Sequence, residues 1–401
     1  MEFDWFDTPA PMPVCTDGCN PVNAEGRSSA QDAKTAFLEA ARSLGRDLVA
    51  KGAAPPHIRH LSVAVPDPSA LQRDIVDYDL LYREALGGTF GKVALMTSDQ
   101  GTILQAAAVV PPKDTAPKYR GMDSATLNFQ YSPRATVPEA PEIMASWRID
   151  GAEFQKTRTA ELTYGPDEKH RIDLYMPDGV SNPPLHIFIH GGYWQAADKR
   201  DNGHCCRELV KAGLAVATLN YPLCPPATIR AIVADCQDAI ALLYRDASKY
   251  GYDPAHITVS GHSAGGHLTA MMAATDWTHL SSDLPSDLIK GSIPISGLFE
   301  LEPLRHTGLN TALRLTEEEA EDLSPVYHDI RSPGPIVAVV GGAESDEFKR
   351  QSHEYVHAFG ARGAHIRYLE LPNLNHFTVV TALADVESDL YKFVVEIARK
   401  T

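Results

Sequence analysis

At 401 residues the chain exceeds the usual size of one domain and points to two, or to one large domain with additions. Hydrophobic content of 44% and charged content of 22% suit a globular protein with a sizeable core, while a formal net charge of −16 argues against nucleic acid or an anionic membrane surface as partner. No apolar run approaches the ~20 residues of a membrane span. The acidic start Met1-Glu-Phe-Asp-Trp-Phe-Asp7 lacks the basic-then-apolar order of a secretory signal. Six cysteines without zinc-finger or zinc-ribbon spacing suggest neither a disulfide scaffold nor a structural metal, so reduced thiols and a cytoplasmic location are expected.

In chain order, residues 1–28 are rich in Pro, Gly and Asp without sustained periodicity and read as an N-terminal arm. Residues 29–112 read as a small α+β module. Ser29 opens a helix to Val49 with Phe37, Ala41, Leu44 and Leu48 on one face. A strand follows at His60–Val65, then a helix capped by Asp67 with an apolar stripe of Leu71, Ile75, Tyr78, Leu81 and Ala85, ended by Gly87-Gly88. Strands at Lys92–Met96 and Ile103–Val110 close the module as a hairpin.

The first helix, the segments "VPDPSALQRDI" and "VDYDLLYREAL" and the final hairpin resemble the RidA/YjgF family of small trimeric enamine/imine deaminases. The family's opening strands have no counterpart before Ser29, and Gly91-Lys92 stands where its catalytic Arg would be. The resemblance therefore implies a module that builds a homo-oligomer or covers the second domain, rather than an active deaminase. Its small size also favours an oligomer, since alone it buries its sheet face poorly.

Residues 113–156 read as a Pro-rich linker and an extended lead-in lying on the next domain, and 157–401 as a regular alternation of strands and helices. Ala160–Tyr164 and Arg171–Tyr175 suggest an antiparallel pair. Leu185–Ile189, Ala215–Leu219, Gly291–Ile295, Pro335–Val340 and His365–Leu371 suggest further strands, several buried on both faces. Helices are expected at Asn202–Ala212, Ala227–Lys249, Asp346–Phe359 and Thr378–Arg399. The expected fold is α/β, a doubly wound, mostly parallel sheet.

Between strand and helix lies Gly261-His-Ser-Ala-Gly265, the G-x-S-x-G pattern of a nucleophile elbow with Ser263 at its tip. Alone it arises by chance in about one chain in ten of this size. Its partners on such a fold follow in the order Ser, acid, His, each past a later strand. His376, in Leu371-Pro-Asn-Leu-Asn-His-Phe377, is the expected base. Gly341-Gly-Ala-Glu-Ser-Asp-Glu347 supplies the acid: Glu344 is favoured, with Asp346 as the alternative, although Asp346 also reads as the cap of the following helix. For the oxyanion, the N–H groups of Gly192, Tyr193 and Ala264 are candidates, and Tyr193 and Trp194 are candidate substrate contacts. His190 reads as a loop brace. Neither a metal nor a nucleotide motif is present, and no cofactor is expected.

The segments "HGGYW", "GHSAGGH", "SGLFELEPL", "SPVYH", "EFKRQS" and "LNHF", with a match from about Met122 onward, resemble the arylformamidase (kynurenine formamidase) group of α/β-hydrolases, near the hormone-sensitive-lipase esterases. The resemblance implies Ser263, Glu344 and His376 as a catalytic triad, although the acid of that group is more usually Asp. It also implies cleavage of an N-formyl or small N-acyl arylamine. A broad carboxylesterase is the rival reading, and a non-catalytic binding protein a more distant one.

Overall fold

A computed structural model describes residues 20–28, 33–50, 58–65, 93–97, 102–110, 117–137 and 139–400. The chain divides into two compact units, Met1–Thr115 and Ala116–Thr401.

In the first unit, strands β1 (Asn20–Ser28), β2 (Ile58–Val65), β3 (Val93–Thr97) and β4 (Thr102–Val110) form a sheet in the order β1-β4-β2-β3. Helix α1 (Ala33–Ala50) packs on β1 and β4, with Phe37, Ala40, Ala41 and Leu44 fully buried. Two expectations are corrected. The end of the arm, residues 20–28, is a strand paired with β4 along its whole length. Its Pro and Asn residues are poor strand formers, tolerated because β1 is an edge strand fixed by its neighbour. Secondly, β3 and β4 are not a hairpin: β3 pairs parallel with β2, and β4 runs antiparallel between β1 and β2. The helix expected from Asp67 lies outside the described residues.

The second unit begins with helices where an extended lead-in was expected: α2 (Ser124–Gln130), a short turn at Pro133–Thr136, and α3 (Ala140–Gln155). The Asp123 carboxylate accepts the Thr126 N–H to start α2, while α3 buries Trp147 and Phe154. The apolar residues of α3 are spread around the helix, with Ile149 exposed, so only the tertiary partner brings out its buried face.

An eight-stranded sheet follows: β5 (Ala160–Thr163), β6 (Arg171–Tyr175), β7 (Pro184–Ile189), β8 (Ala215–Leu219), β9 (Asp253–His262), β10 (Ile289–Ile295), β11 (Ile336–Gly341) and β12 (Ile366–Leu371). Its order is β12-β11-β10-β9-β7-β8-β6-β5, antiparallel only at β5–β6 and β6–β8. Two-residue alternation separates the faces: Ile187 and Ile189 enter one core with Ala217, Ile257 and Val259, whereas Phe188 and Val216 enter the other with Ile293, Ile295 and Val337. Between β8 and β9, helix α4 (Ile229–Tyr250) covers the first face through Ile229, Ile232, Val233, Cys236, Ile240 and Leu243, all buried as its periodicity predicts. Thr228 caps its start, and Gly251 ends it in the left-handed region at φ 83°. The longer helices that follow are α5 (Ala264–Ala274), α6 (Asp346–Gly360) and α7 (Asp389–Lys400).

Two helices differ from expectation. The segment after the β7 loop starts at Lys199 and passes through a 3-10 turn at His204–Cys206 before Arg207–Lys211. The closing helix is divided into a 3-10 turn at Val380–Ala384 and α7, because Ser388 Oγ accepts the Tyr391 N–H and starts a new helix. Among the described residues, no helix is long and apolar enough to cross a membrane.

Candidate active site

The topology directs the loops that matter to one edge. From β7 the chain goes to β8 on one side and returns to β9 on the other, so a crevice opens at the carboxyl ends of β7 and β9. Register extends that edge: Ile189 lies opposite Gly261, His262 opposite Ile295, Ile295 opposite Val339, and Gly341 opposite Leu371. The loops leaving this row carry Gly191, Ser263, Ser296, Glu344 and His376.

Ser263 sits between β9 and α5 at φ 57° and ψ −115°, a conformation L residues rarely adopt. Its N–H donates to the Ile295 carbonyl (2.8 Å), and its own carbonyl accepts the His267 N–H (3.0 Å). The flanking glycines are required by close approach: a Cβ on Gly261 would lie 2.3 Å from Gly265 O, and one on Gly265 would lie 2.0 Å from Ile189 O. Since both obstacles are backbone, Gly265→Ala is expected to cost on the order of 4 kcal/mol or more. Urea denaturation checks this, and a loss below about 1 kcal/mol would show that the elbow can give way.

His376 Nε2 accepts from Ser263 Oγ at 3.0 Å, and His376 Nδ1 donates to Glu344 Oε2 at 2.6 Å. All three side chains are buried. The other carboxylate oxygen, Oε1, accepts the Gly341 N–H (2.7 Å) and the Ser296 hydroxyl. Asp346 is placed elsewhere. Ser345, not Asp346, is the N-cap residue of α6, and the Asp346 carboxylate points to solvent at 87% exposure, beside Lys349. The Gly-Gly turn leads Glu344 back over the sheet edge, whereas Asp346 already follows the outward course of α6.

After β7, Gly192 (φ 102°), Tyr193 (φ 50°) and Trp194 (φ 56°) are three consecutive left-handed residues. This curl turns the Gly192 and Tyr193 N–H groups away from the loop's own carbonyls; among the described residues neither has an acceptor. The Ala264 N–H belongs to the first turn of α5, where intrahelical acceptors are lacking. Tyr193 Oη donates to the Tyr131 carbonyl (2.7 Å), and Tyr131 Oη donates to Glu347 Oε2 (2.6 Å), so the lead-in ties the glycine loop to α6. Burial, then the nearby Glu344 carboxylate, keeps the Tyr193 phenol neutral by raising its pKa.

Trp194 corrects an expectation. It is fully buried in the core, edge-on to His267 with ring centres 5.0 Å apart, and offers no surface to a ligand. His190 is the expected brace: its ring stacks on Tyr221 at 4.2 Å, and its nitrogens face Gly191 O and Asn220 Oδ1. His262, unassigned from sequence, donates from Nε2 to the His376 carbonyl (2.7 Å) and so fixes the backbone of the residue facing Ser263.

Burial lowers the pKa of His186 to about 3 and of His267 to about 4, and holds His262 well below the usual range, with repulsion from His376 adding to the last. The unfolded chain protonates these rings near 6.5, and the native chain does not. Their stabilisation is thus complete above about pH 6.5 and declines as pH falls from there toward the folded-state values, by on the order of 1–2 kcal/mol per ring at pH 5. Urea midpoints at pH 7.5 and 5 check the sign: a higher midpoint at pH 5 would contradict it.

The switch-point crevice, the strained serine and the mostly parallel sheet define an α/β-hydrolase. The BD-FAE family model matches residues 172–294. A candidate thioesterase from Silicibacter sp. tm1040 is 32% identical, with 68% of this chain and 98% of that chain covered and a TM-score of 0.59. An esterase from Pyrobaculum calidifontis shares the fold at 21% identity, covering 64% of this chain and 90% of its own, with a TM-score of 0.52. The kynurenine formamidase of Danio rerio is 30% identical over 300 residues, 71% of this chain and 99% of the relative, and that of Salmo salar is 31% identical with the same coverage. The chain belongs to the kynurenine formamidase family.

Proposed function

We propose that the chain hydrolyses N-formyl or small N-acyl arylamines, with Ser263 as nucleophile, His376 as general base and acid, and Glu344 as the carboxylate that orients His376. The observation carrying this reading is the unbroken hydrogen-bonded series Ser263 Oγ, His376 Nε2, His376 Nδ1, Glu344 Oε2. His376 takes the hydroxyl proton as Oγ bonds to the carbonyl carbon. The oxyanion is received by the N–H groups of Gly192, Tyr193 and Ala264, none of which has a backbone acceptor among the described residues. His376 then passes its proton to the nitrogen, the C–N bond breaks and the arylamine departs. Water, deprotonated by His376, cleaves the acyl-enzyme to release the carboxylic acid and restore Ser263.

Amide cleavage distinguishes this reading from a broad carboxylesterase, because an arylamine leaves only when its nitrogen is protonated, whereas a phenolate leaves unaided. Comparing kcat/KM for formanilide-type amides and short p-nitrophenyl esters tests it. Turnover of the esters alone would favour the esterase reading.

We further propose that residues 29–112 serve in homo-oligomer assembly rather than as a deaminase, and that the enzyme acts in the cytoplasm. A module of this size has limited core of its own, and Gly91-Lys92 stands where the family's Arg would be. Light scattering on the full chain should give a multiple of 43.6 kDa. A monomer, or turnover of 2-aminoacrylate, would count against the proposal.

A further inference from the structure

Glu344 is buried, and a buried carboxylate needs donors on both oxygens to remain charged and in place. His376 serves Oε2, while Oε1 is served by the Gly341 N–H and by one side chain, Ser296. Ser296 follows β10 directly, is fully buried, and lies in the left-handed region at φ 48°. Its N–H donates to the Val339 carbonyl (2.7 Å) on β11, and the preceding residue, Ile295, accepts the Ser263 N–H (2.8 Å). Two consecutive residues thus join the strand bearing the serine to the strand leading to the carboxylate. The strained backbone directs the Ser296 hydroxyl across β11 to the carboxylate edge turned away from His376.

We infer that Ser296 is a positioning residue for the reaction: its hydroxyl locks the Glu344 carboxylate in the rotamer that presents Oε2 to His376. Glutamate carries one more rotatable bond than aspartate, and without a second anchor its carboxylate can swing off the imidazole. Gly341 N–H alone leaves rotation about that contact open; the Ser296 hydroxyl closes it. This inference rests on the proposed triad, because Ser296 acts only through Glu344.

The test is a cycle of Ser296→Ala, Ser296→Gly, Glu344→Gln and the Ser296→Ala/Glu344→Gln double variant, assayed on formanilide. Alanine removes only the hydroxyl and keeps the left-handed strain, whereas glycine removes the whole side chain and relieves that strain, so agreement between the two separates the hydroxyl from backbone strain. Loss of one hydrogen bond to a charged group is expected to lower kcat by about 10- to 100-fold with KM within about twofold. In the Glu344→Gln background, Ser296→Ala should change kcat by less than about twofold. Wild-type kcat in both Ser296 variants, with Glu344→Gln impaired, would overturn the inference and leave the triad standing. Fully multiplicative losses in the double variant would also overturn it. Wild-type kcat in Glu344→Gln would overturn the triad reading itself.

Discussion

Ser263→Ala is expected to lower kcat on formyl arylamines by about 10⁴- to 10⁶-fold while leaving the fold intact. Among the described residues the hydroxyl makes one hydrogen bond, to His376, and the native backbone contacts of residue 263 run through its N–H and carbonyl, which alanine keeps. Alanine bears the strain of φ 57° about as serine does. In the proposed mechanism what disappears is the atom that bonds to the carbonyl carbon, and neither His376 nor the proposed oxyanion donors supply another. The residual rate then reflects binding and oxyanion stabilisation acting on water. A fluorophosphonate should label the native chain at Ser263 and fail to label the variant. Near-normal turnover in the variant would end the proposed mechanism.

Outside the site, a large loss of stability is expected from Lys199→Met. Lys199 is only 4% exposed, yet its Nζ donates to Asp173 Oδ1 and to Glu161 Oε1, both at 2.8 Å. Asp173, on β6, is fully buried. Removing the ammonium leaves that carboxylate with Gln155 Nε2 at 2.7 Å and the more distant Arg158 at 3.3 Å. A buried ion deprived of its partner costs about 3–5 kcal/mol, and the remaining donors place the expectation at about 3 kcal/mol, roughly 5 °C in Tm for a unit of this size. Pairing it with Asp173→Asn should recover part of the loss, since the uncompensated charge is then gone. Thermal and urea unfolding of the two variants measure both effects. A Lys199→Met protein within about 1 kcal/mol of the native chain would show that Arg158 suffices.

These two residues mark what kind of information each source holds. Ser263 was legible in the sequence because an elbow imposes local demands: a β-branched run, small residues on both sides of the serine and a helix start, all within a few positions. The order of Ser263, Glu344 and His376 and the limits of β7, β8, β11 and β12 were legible for the same reason, since buried strands and the turns after them are written in consecutive residues. Lys199, Ser296 and His262 carry no local sign. Their partners lie on other strands or in the loops that leave them, so only the packing of the sheet brings Lys199 to Asp173, Ser296 to Glu344 and His262 to the His376 carbonyl. The same dependence on distant neighbours decided Glu344 over Asp346 as the partner of His376, sank Trp194 into the core, folded the lead-in into α2 and α3, and made a strand of residues 20–28. By itself the sequence determined the class of fold and named the candidate groups of the site; the tertiary structure decided which of those groups touch, because contact depends on register between strands far apart in the chain.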